Sequence, residues 1–214
     1  MRVHKTGEAA KAIVDLHYLP SVAYLTLFEH FDEIYLEQHD NFIKQTYRNR
    51  CYILTSNKID RLSVPVKKRG QKMLYRDVEI DYTEKWENRH WRAIKSAYAN
   101  APFFEFYADG LVENIFKKYR FLYELNLSLL SYCLKVMGIT TRVRQTDSFL
   151  KAYDEHFSDF RSVFQPRKEN GIIHAASYHQ LFTDRFIEHL SIIDLLFNEG
   201  NEARKILQKQ RFLI

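Results

Sequence analysis

The chain has little of what marks a protein as disulfide-rich, fibrous or membrane-spanning: two cysteines, six glycines and four prolines in 214 residues. Cys51 and Cys133 lack the close spacing of a zinc or redox pair, so both are predicted to be reduced thiols. No window approaches the roughly 20 apolar residues that cross a bilayer, and residues 1–20 contain no apolar stretch typical of a signal peptide. These absences predict a cytoplasmic protein with no membrane span and no metal site.

What the chain does contain is a large supply of apolar and aromatic side chains. Hydrophobic residues make up 46% of it and aromatic residues 15%, enough to bury a core within a single domain spanning residues 1–214. The net charge of +5 is modest, so nucleic-acid binding is not favoured, whereas an anionic small molecule is a suitable partner wherever cations cluster. The composition also permits a homodimer.

The hydrophobic pattern predicts a small, mostly N-terminal sheet with a βα opening. Residues 12–16 form an apolar run typical of a buried strand, and the turn at Pro20 leads into a helix with Ser21 as N-cap. Further strands are predicted over 32–39, 43–54, 60–68 and 75–82, with a turn of Lys, Gly and Gln between the last two. Residues 12–82 are therefore predicted to be rich in sheet.

From Trp86 onward the apolar spacing becomes that of a helix. One helix is predicted from Trp86 until Pro102 interrupts the pattern. Residues 139–145 alternate like a returning strand, and 146–175 carry no clear assignment. The other predicted helices are 105–118, 121–137 with Gly138 as its C′ residue, 184–200, and a short basic helix capped by Asn201. The predicted fold class is α/β, with mixed α+β as the alternative, and helices from residues 84–214 cover the sheet.

A run of cations is the first candidate for a binding site. If residues 43–54 are extended, Lys44, Arg48 and Arg50 project from one face of the strand. One interpretation is an edge strand whose solvated charges discourage pairing with another sheet. The other is an anion site, because the planar guanidinium of Arg matches phosphate and carboxylate groups. Both interpretations predict exposure, and only the second predicts a concave surface.

Two histidines follow predicted strands. His17 and Tyr18 lie at the carboxyl end of the first strand, where open α/β sheets usually bind ligands. Glu37 and His39 end the second strand in the same way, so the two segments together could support general acid–base chemistry or weak metal binding. The alternative for His17 is a structural hydrogen-bonding residue, and for the second pair an ordinary polar loop.

Two further polar residues are predicted to be buried. His90 shares a helical stripe with Trp86 and should point inward, as a core histidine or as a catalytic one. Asp194 recurs with Ser191 and Asn198 as one polar stripe on an otherwise apolar helix. A buried carboxylate is costly unless it is paired, so we predict that Asp194 meets an Arg, a backbone N–H group or a ligand. A cation of the 43–54 segment is the expected partner, either to lock the fold or to bind a ligand.

The chain carries a series of distinctive blocks, which in order are "IVDLHYLPSVAYLTLF", "YLEQHDNFIKQTYRNRCYI", "LSVPVKK", "WENRHWRAIKSAYANAPFFEFY", "YHQLF" and "LSIIDLLFNEG". In this order they resemble the WbqC-like protein family over residues 12–200. The family opening is more often Gln-Pro-x-Tyr-Phe-Pro. Here Asp15, Leu16 and His17 depart from its first three positions, while Tyr18 and Pro20 match it.

The resemblance implies a cytoplasmic transferase of O-antigen or other surface-polysaccharide synthesis, which attaches glycine or another acyl group to an amino sugar. Its partner would be an anionic small molecule such as a nucleotide-activated sugar, and the cofactor is left open. The expected catalytic residues are His90, His17 and Asp194, and the expected substrate-binding residues are Tyr18, Lys44, Arg48, Asn49, Arg50, Gln180 and Asn198. The alternatives are a nucleotidyltransferase-like enzyme, or a non-catalytic module that binds an anion or nucleic acid.

Overall fold

The computed structural model describes residues 10–67, 72–166 and 173–213. The predicted turn of Lys, Gly and Gln falls at 68–71, outside the described residues. The strands are β1 Lys11–Asp15, β2 Glu33–Glu37, β3 Arg50–Leu54, β4 Ile59–Ser63, β5 Arg142–Gln145, β6 Phe157–Asp159, β7 Ile173–His174 and β8 Arg211–Phe212. The α-helices are α1 Val22–Leu25, α2 Leu27–His30, α3 Trp86–Tyr98, α4 Phe104–Phe116, α5 Leu122–Val136, α6 Ile192–Glu199 and α7 Ala203–Lys209. The predicted α/β class is confirmed.

A four-stranded parallel sheet forms the centre of the molecule, in the order β5-β2-β1-β6. Its central strand β1 is buried on both faces, as its apolar run requires, and Ile13 pairs in register with Tyr35 of β2. From β1 the chain adds β2 and then β5 on one side, and later adds β6 on the other side. The strand order therefore reverses beside β1, and at such a point α/β proteins usually bind their ligands beyond the carboxyl ends of the strands.

The predicted cationic strand is wrong over its first half. Only Arg50–Leu54 form β3, which pairs with β4 as an antiparallel hairpin separate from the main sheet. Residues 44–49 form turns and bends, and Gln45 has a φ of 67°, a left-handed conformation that ends any extended run. Alternation of side chains cannot continue through such a turn, so Lys44 and Arg48 do not share a strand face with Arg50.

The predicted strand over 75–82 is also wrong. It begins as a 3₁₀ turn, Tyr75–Asp77, and the remainder makes only isolated bridges, including Val66 with Ile80. Tertiary partners determine this conformation: the Tyr75 hydroxyl donates to the carbonyl of Leu16, and the backbone N–H of Ile80 donates to the carbonyl of Arg120. Apolar alternation here reflects contacts with other segments instead of a ladder.

The helical predictions hold for the middle of the chain. α3, α4 and α5 occupy the expected segments, and the stripe of Trp86, His90 and Ile94 is buried. The long helix predicted over 184–200 is shorter: α6 begins at Ile192, and Ser191 is its N-cap. Residues 181–190 are turns and loop, and no helix among the described residues is long and apolar enough to cross a membrane.

Candidate functional site

A buried ion cluster occupies the carboxyl end of β1. The Arg48 guanidinium donates to Asp15 at 2.7 Å and to Asp40 at 2.8 Å, and its side chain is only 2% exposed. Asp15 also accepts the backbone N–H of Ser162 at 2.7 Å, which joins β1 to the loop after β6. Burial disfavours the charge on Arg48, but its pKa is raised because the attraction of Asp15 and Asp40 outweighs that cost. Arg48 is therefore already neutralised within the protein.

His17 lies beside this cluster as a buried, neutral imidazole. Its ring centroid is 4.4 Å from that of Tyr24 and 5.4 Å from that of Tyr47. Burial, assisted by the charge of Arg48, lowers its pKa to about 3. Its Nδ1 atom has no hydrogen-bond partner among the residues that the structure describes. His17 thus packs against the rings of Tyr24 and Tyr47 in the interior of the protein.

His90 is buried in a separate network on α3. Its Nε2 atom lies 3.2 Å from the carbonyl oxygen of Ser63, and its Nδ1 atom lies 2.9 Å from the Tyr18 hydroxyl. Burial lowers the pKa of His90 to about 4, so the ring is neutral near pH 7. In that state Nε2–H donates to Ser63 and Nδ1 accepts the hydroxyl proton of Tyr18. Both nitrogens are occupied by partners within the protein.

Asp194 is buried, as predicted, but the predicted cation partner is wrong. Its Oδ1 accepts the Tyr98 hydroxyl at 2.8 Å, and its Oδ2 accepts the Tyr178 hydroxyl at 2.7 Å and the Gln180 amide at 3.2 Å. Burial raises the pKa of Asp194, and these three hydrogen bonds oppose the shift. Asn198 donates to the Asp194 backbone carbonyl at 2.8 Å, as expected for a side chain one helical turn later.

The remaining expected binding residues are dispersed. Lys44 is exposed on a turn, and the Asn49 amide donates to the carbonyl of Val64. Arg50 is half-buried, with one guanidinium nitrogen 3.4 Å from the carbonyl oxygen of Gln45. The residues predicted as one site therefore lie in distinct hydrogen-bond networks.

A cleft of about 300 Å³ has Tyr47, the residue directly before Arg48 of the ion cluster, in its lining. The ring of Tyr47 is tilted against that of His17, and the backbone N–H of Tyr18 donates to the Tyr47 carbonyl at 2.9 Å. One wall is the β3–β4 hairpin and the other is the loop that precedes α6. The lining residues are Tyr47, Tyr52, Ile59, Arg61, Pro166, Glu188, His189 and Leu190.

The hairpin wall combines an aromatic ring with a cation. Tyr52 and Arg61 are directly opposite in the antiparallel register, so both side chains project from the same face. Within 10–67, 72–166 and 173–213, no side chain pairs with the Arg61 guanidinium, whose residue is exposed. The ring centroids of Tyr47 and Tyr52 are 5.9 Å apart in an edge-to-face arrangement. This wall offers an aromatic surface beside an open positive charge.

The loop wall combines a carboxylate with an imidazole. Glu188 and His189 lie 3.5 Å apart between Oε2 and Nε2, and both are partly exposed. His189 has a φ of 65°, an uncommon conformation for a residue with a β-carbon, and such strain is concentrated at functional sites. The loop wall therefore brings a carboxylate and an imidazole to the cleft that Arg61 also lines.

Sequence reasoning did not identify Arg61, Glu188 or His189. Arg61 lies in β4, and the face from which its side chain projects is known only from the pairing of β4 with β3. Glu188 and His189 lie inside the helix that the apolar spacing predicts over 184–200, whereas α6 begins only at Ile192. The serine that caps α6 was the available signal, because Ser is a preferred N-cap.

Other parts of the surface are less suited to a ligand. A pocket of about 380 Å³ is lined by Lys67, Arg120 and Tyr82, among others, and both cations are held by Glu79 at 2.8 Å. In the described part of the chain, no three His, Cys, Asp or Glu side chains group together as a metal site would require.

Comparison with known proteins gives one family and one curated relative. The profile of the WbqC-like protein family matches residues 16–165 and 169–206. The chain is 27% identical over 225 residues to "Uncharacterized protein Rv1507c" of Mycobacterium tuberculosis, a match that covers 92% of this chain and 96% of the relative. No solved structure matches the chain significantly.

Proposed function

Since the chain belongs to the WbqC-like protein family, we propose that it is a cytoplasmic transferase of O-antigen or other surface-polysaccharide synthesis. It transfers glycine or another acyl group to the amine of a nucleotide-activated amino sugar, and the reaction takes place in the cleft between the β3–β4 hairpin and residues 188–190. The observation that carries the proposal is the cleft itself, which Tyr47, Tyr52 and Arg61 line and where no side chain in the described part of the chain pairs with Arg61.

The hairpin wall supplies the binding groups for such a substrate. A sugar ring presents C–H groups that pack on the half-buried ring of Tyr52, which the buried ring of Tyr47 contacts in an edge-to-face arrangement. The diphosphate of a nucleotide-activated sugar matches the planar fork of Arg61, which has donors to spare. Arg50 lies on the same hairpin face as Tyr52, two residues earlier, and adds positive charge at that side.

The chemistry requires a base. The amine nitrogen of the sugar attacks the acyl carbonyl carbon, a C–N bond forms, and the bond to the leaving group of the donor breaks with its electron pair. The amine loses one proton, and we assign its acceptance to His189, a lining residue of the cleft. His17 and His90 have pKa values of about 3 and 4, too low for efficient proton acceptance near pH 7.

A transfer assay tests the proposal. The full chain is incubated with UDP-glucosamine and a glycyl thioester, and the acylated sugar is detected by mass spectrometry. We expect His189→Gln to reduce turnover by roughly 10²- to 10⁴-fold, the usual contribution of a general base. Wild-type turnover by His189→Gln would contradict the assignment of the base, and no binding of UDP-glucosamine at all would contradict the proposed substrate.

A nucleotidyltransferase-like enzyme is the second candidate, favoured by the parallel sheet whose strand order reverses beside β1. In such an enzyme a histidine after the first strand contacts the phosphates. His17 has that position but is 3% exposed and lies under Tyr24 and Tyr47, which argues against this role. Release of pyrophosphate from ATP or CTP would favour this candidate over the acyl transferase.

A further inference from the structure

The two walls of the cleft are joined at one buried carboxylate. We propose that Asp194 is a positioning residue that fixes the β3–β4 hairpin and the loop carrying His189 relative to each other, and so sets the width of the cleft. The inference rests on the proposed function only in taking this cleft as the substrate site. Asp194 itself does not line the cleft, so its effect on a substrate passes through other residues.

Gln180 connects Asp194 to the loop wall. Its amide nitrogen donates to Asp194 at 3.2 Å and to the carbonyl of Ile187 at 2.9 Å, while its carbonyl oxygen accepts the backbone N–H of Ile187 at 2.8 Å. The side chain is 2% exposed, so these bonds are shielded from water. Both backbone groups of the residue directly before Glu188 and His189 are therefore held by one side chain.

Tyr98 connects Asp194 to the hairpin wall. Its hydroxyl donates to Asp194 at 2.8 Å and accepts the backbone N–H of Leu54, the last residue of β3, at 3.2 Å. A second bond ties the same strand to the base of α6, because the N–H of Ser191 donates to the carbonyl of Tyr52 at 2.8 Å. These bonds hold β3, which carries Tyr52, to the same turn of α6 as the loop wall.

The geometry explains why a carboxylate stands at this position of an otherwise apolar helix. Donors from three side chains converge on its two oxygens, and an ionised carboxylate can accept all of them. An asparagine would face one of these donors with its own NH₂ group. An apolar residue would avoid the cost of burying a charge but would release both walls.

The first test measures hydrogen exchange and needs no ligand. In Asp194→Asn we expect the amides of Ile187 and Leu54 to exchange about tenfold faster or more. The groups that accept these amides, on Gln180 and Tyr98, are both hydrogen-bonded to Asp194 in the wild type. In Gln180→Ala we expect the increase at Ile187 and not at Leu54. Tyr98→Phe should give the reverse pattern, and it serves as the milder variant if Asp194→Asn does not fold.

Asn198→Ala is the matched control: contrary to the expectation from the sequence, Asn198 does not line the cleft, and its amide donates to the α6 backbone from the same polar stripe. It should leave both amides unchanged. Faster exchange confined to α6 in Asp194→Asn, or equal effects in Asn198→Ala, would overturn the inference. The second readout is the Kd for UDP-glucosamine, which should rise in Asp194→Asn and Gln180→Ala but not in Asn198→Ala. If exchange changes as expected but UDP-glucosamine does not bind the wild type, the positioning role of Asp194 is supported and the proposed function is contradicted.

Discussion

Acid should destabilise this protein through His17, and replacing that residue by Phe should remove much of the effect. In the folded chain the pKa of His17 is lowered from 6.5 to about 3, chiefly by burial and further by Arg48. The unfolded chain therefore takes up a proton below pH 6.5 that the folded chain refuses until about pH 3. Because the unfolded state binds more protons in this window, the free energy of unfolding falls as the pH falls.

The magnitude follows from the width of that window. Each pH unit between the two pKa values costs about 1.4 kcal/mol. Acidification from pH 6.5 to pH 4 should therefore remove about 3 kcal/mol of stability through His17 alone. His90, with a pKa of about 4, acts in the same direction, so His17→Phe should remove about half of the combined histidine effect.

The assay is urea unfolding at several pH values between 7 and 4, for the wild type and for His17→Phe. The difference in unfolding free energy should move steadily in favour of the variant as the pH falls. Tyr24→Phe is the matched control: it keeps the ring against His17 but removes a hydroxyl that donates to the backbone carbonyl of Asp15 at 2.8 Å. Its cost, about 1 kcal/mol, should be the same at every pH. A pH-independent difference for His17→Phe would refute the reasoning.

Three other changes have defined outcomes. Arg48→Met leaves Asp15 as a buried charge without its cation, so the free energy of unfolding should fall by about 3–5 kcal/mol in urea titrations; a loss below about 1 kcal/mol would contradict the burial of that pair. Arg61→Met should alter the unfolding free energy by less than about 0.5 kcal/mol yet raise the Kd for UDP-glucosamine about tenfold or more, as expected for a lost charged hydrogen bond. Burial raises the pKa of the Cys51 thiol, and that of Cys133 to about 12, so a thiol-reactive dye should label neither until the chain unfolds; fast labelling of the native protein would contradict this.

Elements with strong local periodicity could be predicted from the sequence. β1 is a short continuous apolar run, and α3 follows a helical stripe that ends near Pro102. The 43–54 and 75–82 segments could not be assigned in the same way, because the left-handed turn at Gln45 and the tertiary bonds of Tyr75 override their apolar alternation. Local pattern predicts an element only where no distant partner dictates the backbone.

The site was less predictable because its character depends on pairing between remote residues. Arg48 is a cation in any sequence-based view, yet Asp15, 33 residues earlier, neutralises it in a buried bridge. Asp194 was expected to require a cation, but two tyrosine hydroxyls and Gln180 satisfy it. The position of Arg61 beside Tyr52 follows from the hairpin register, which the sequence does not show.

The most direct measurement is an NMR titration of the full chain with UDP-glucosamine, following backbone amides across the molecule. The largest shift changes should fall on Tyr52, Arg61 and Leu190, which line the cleft. They should be lost in Arg61→Met and retained in Arg89→Met, whose arginine is 60% exposed on α3 and paired with Glu84. Changes centred on the Tyr82 and Arg120 pocket, or the same Kd in both variants, would show that the cleft is not the substrate site.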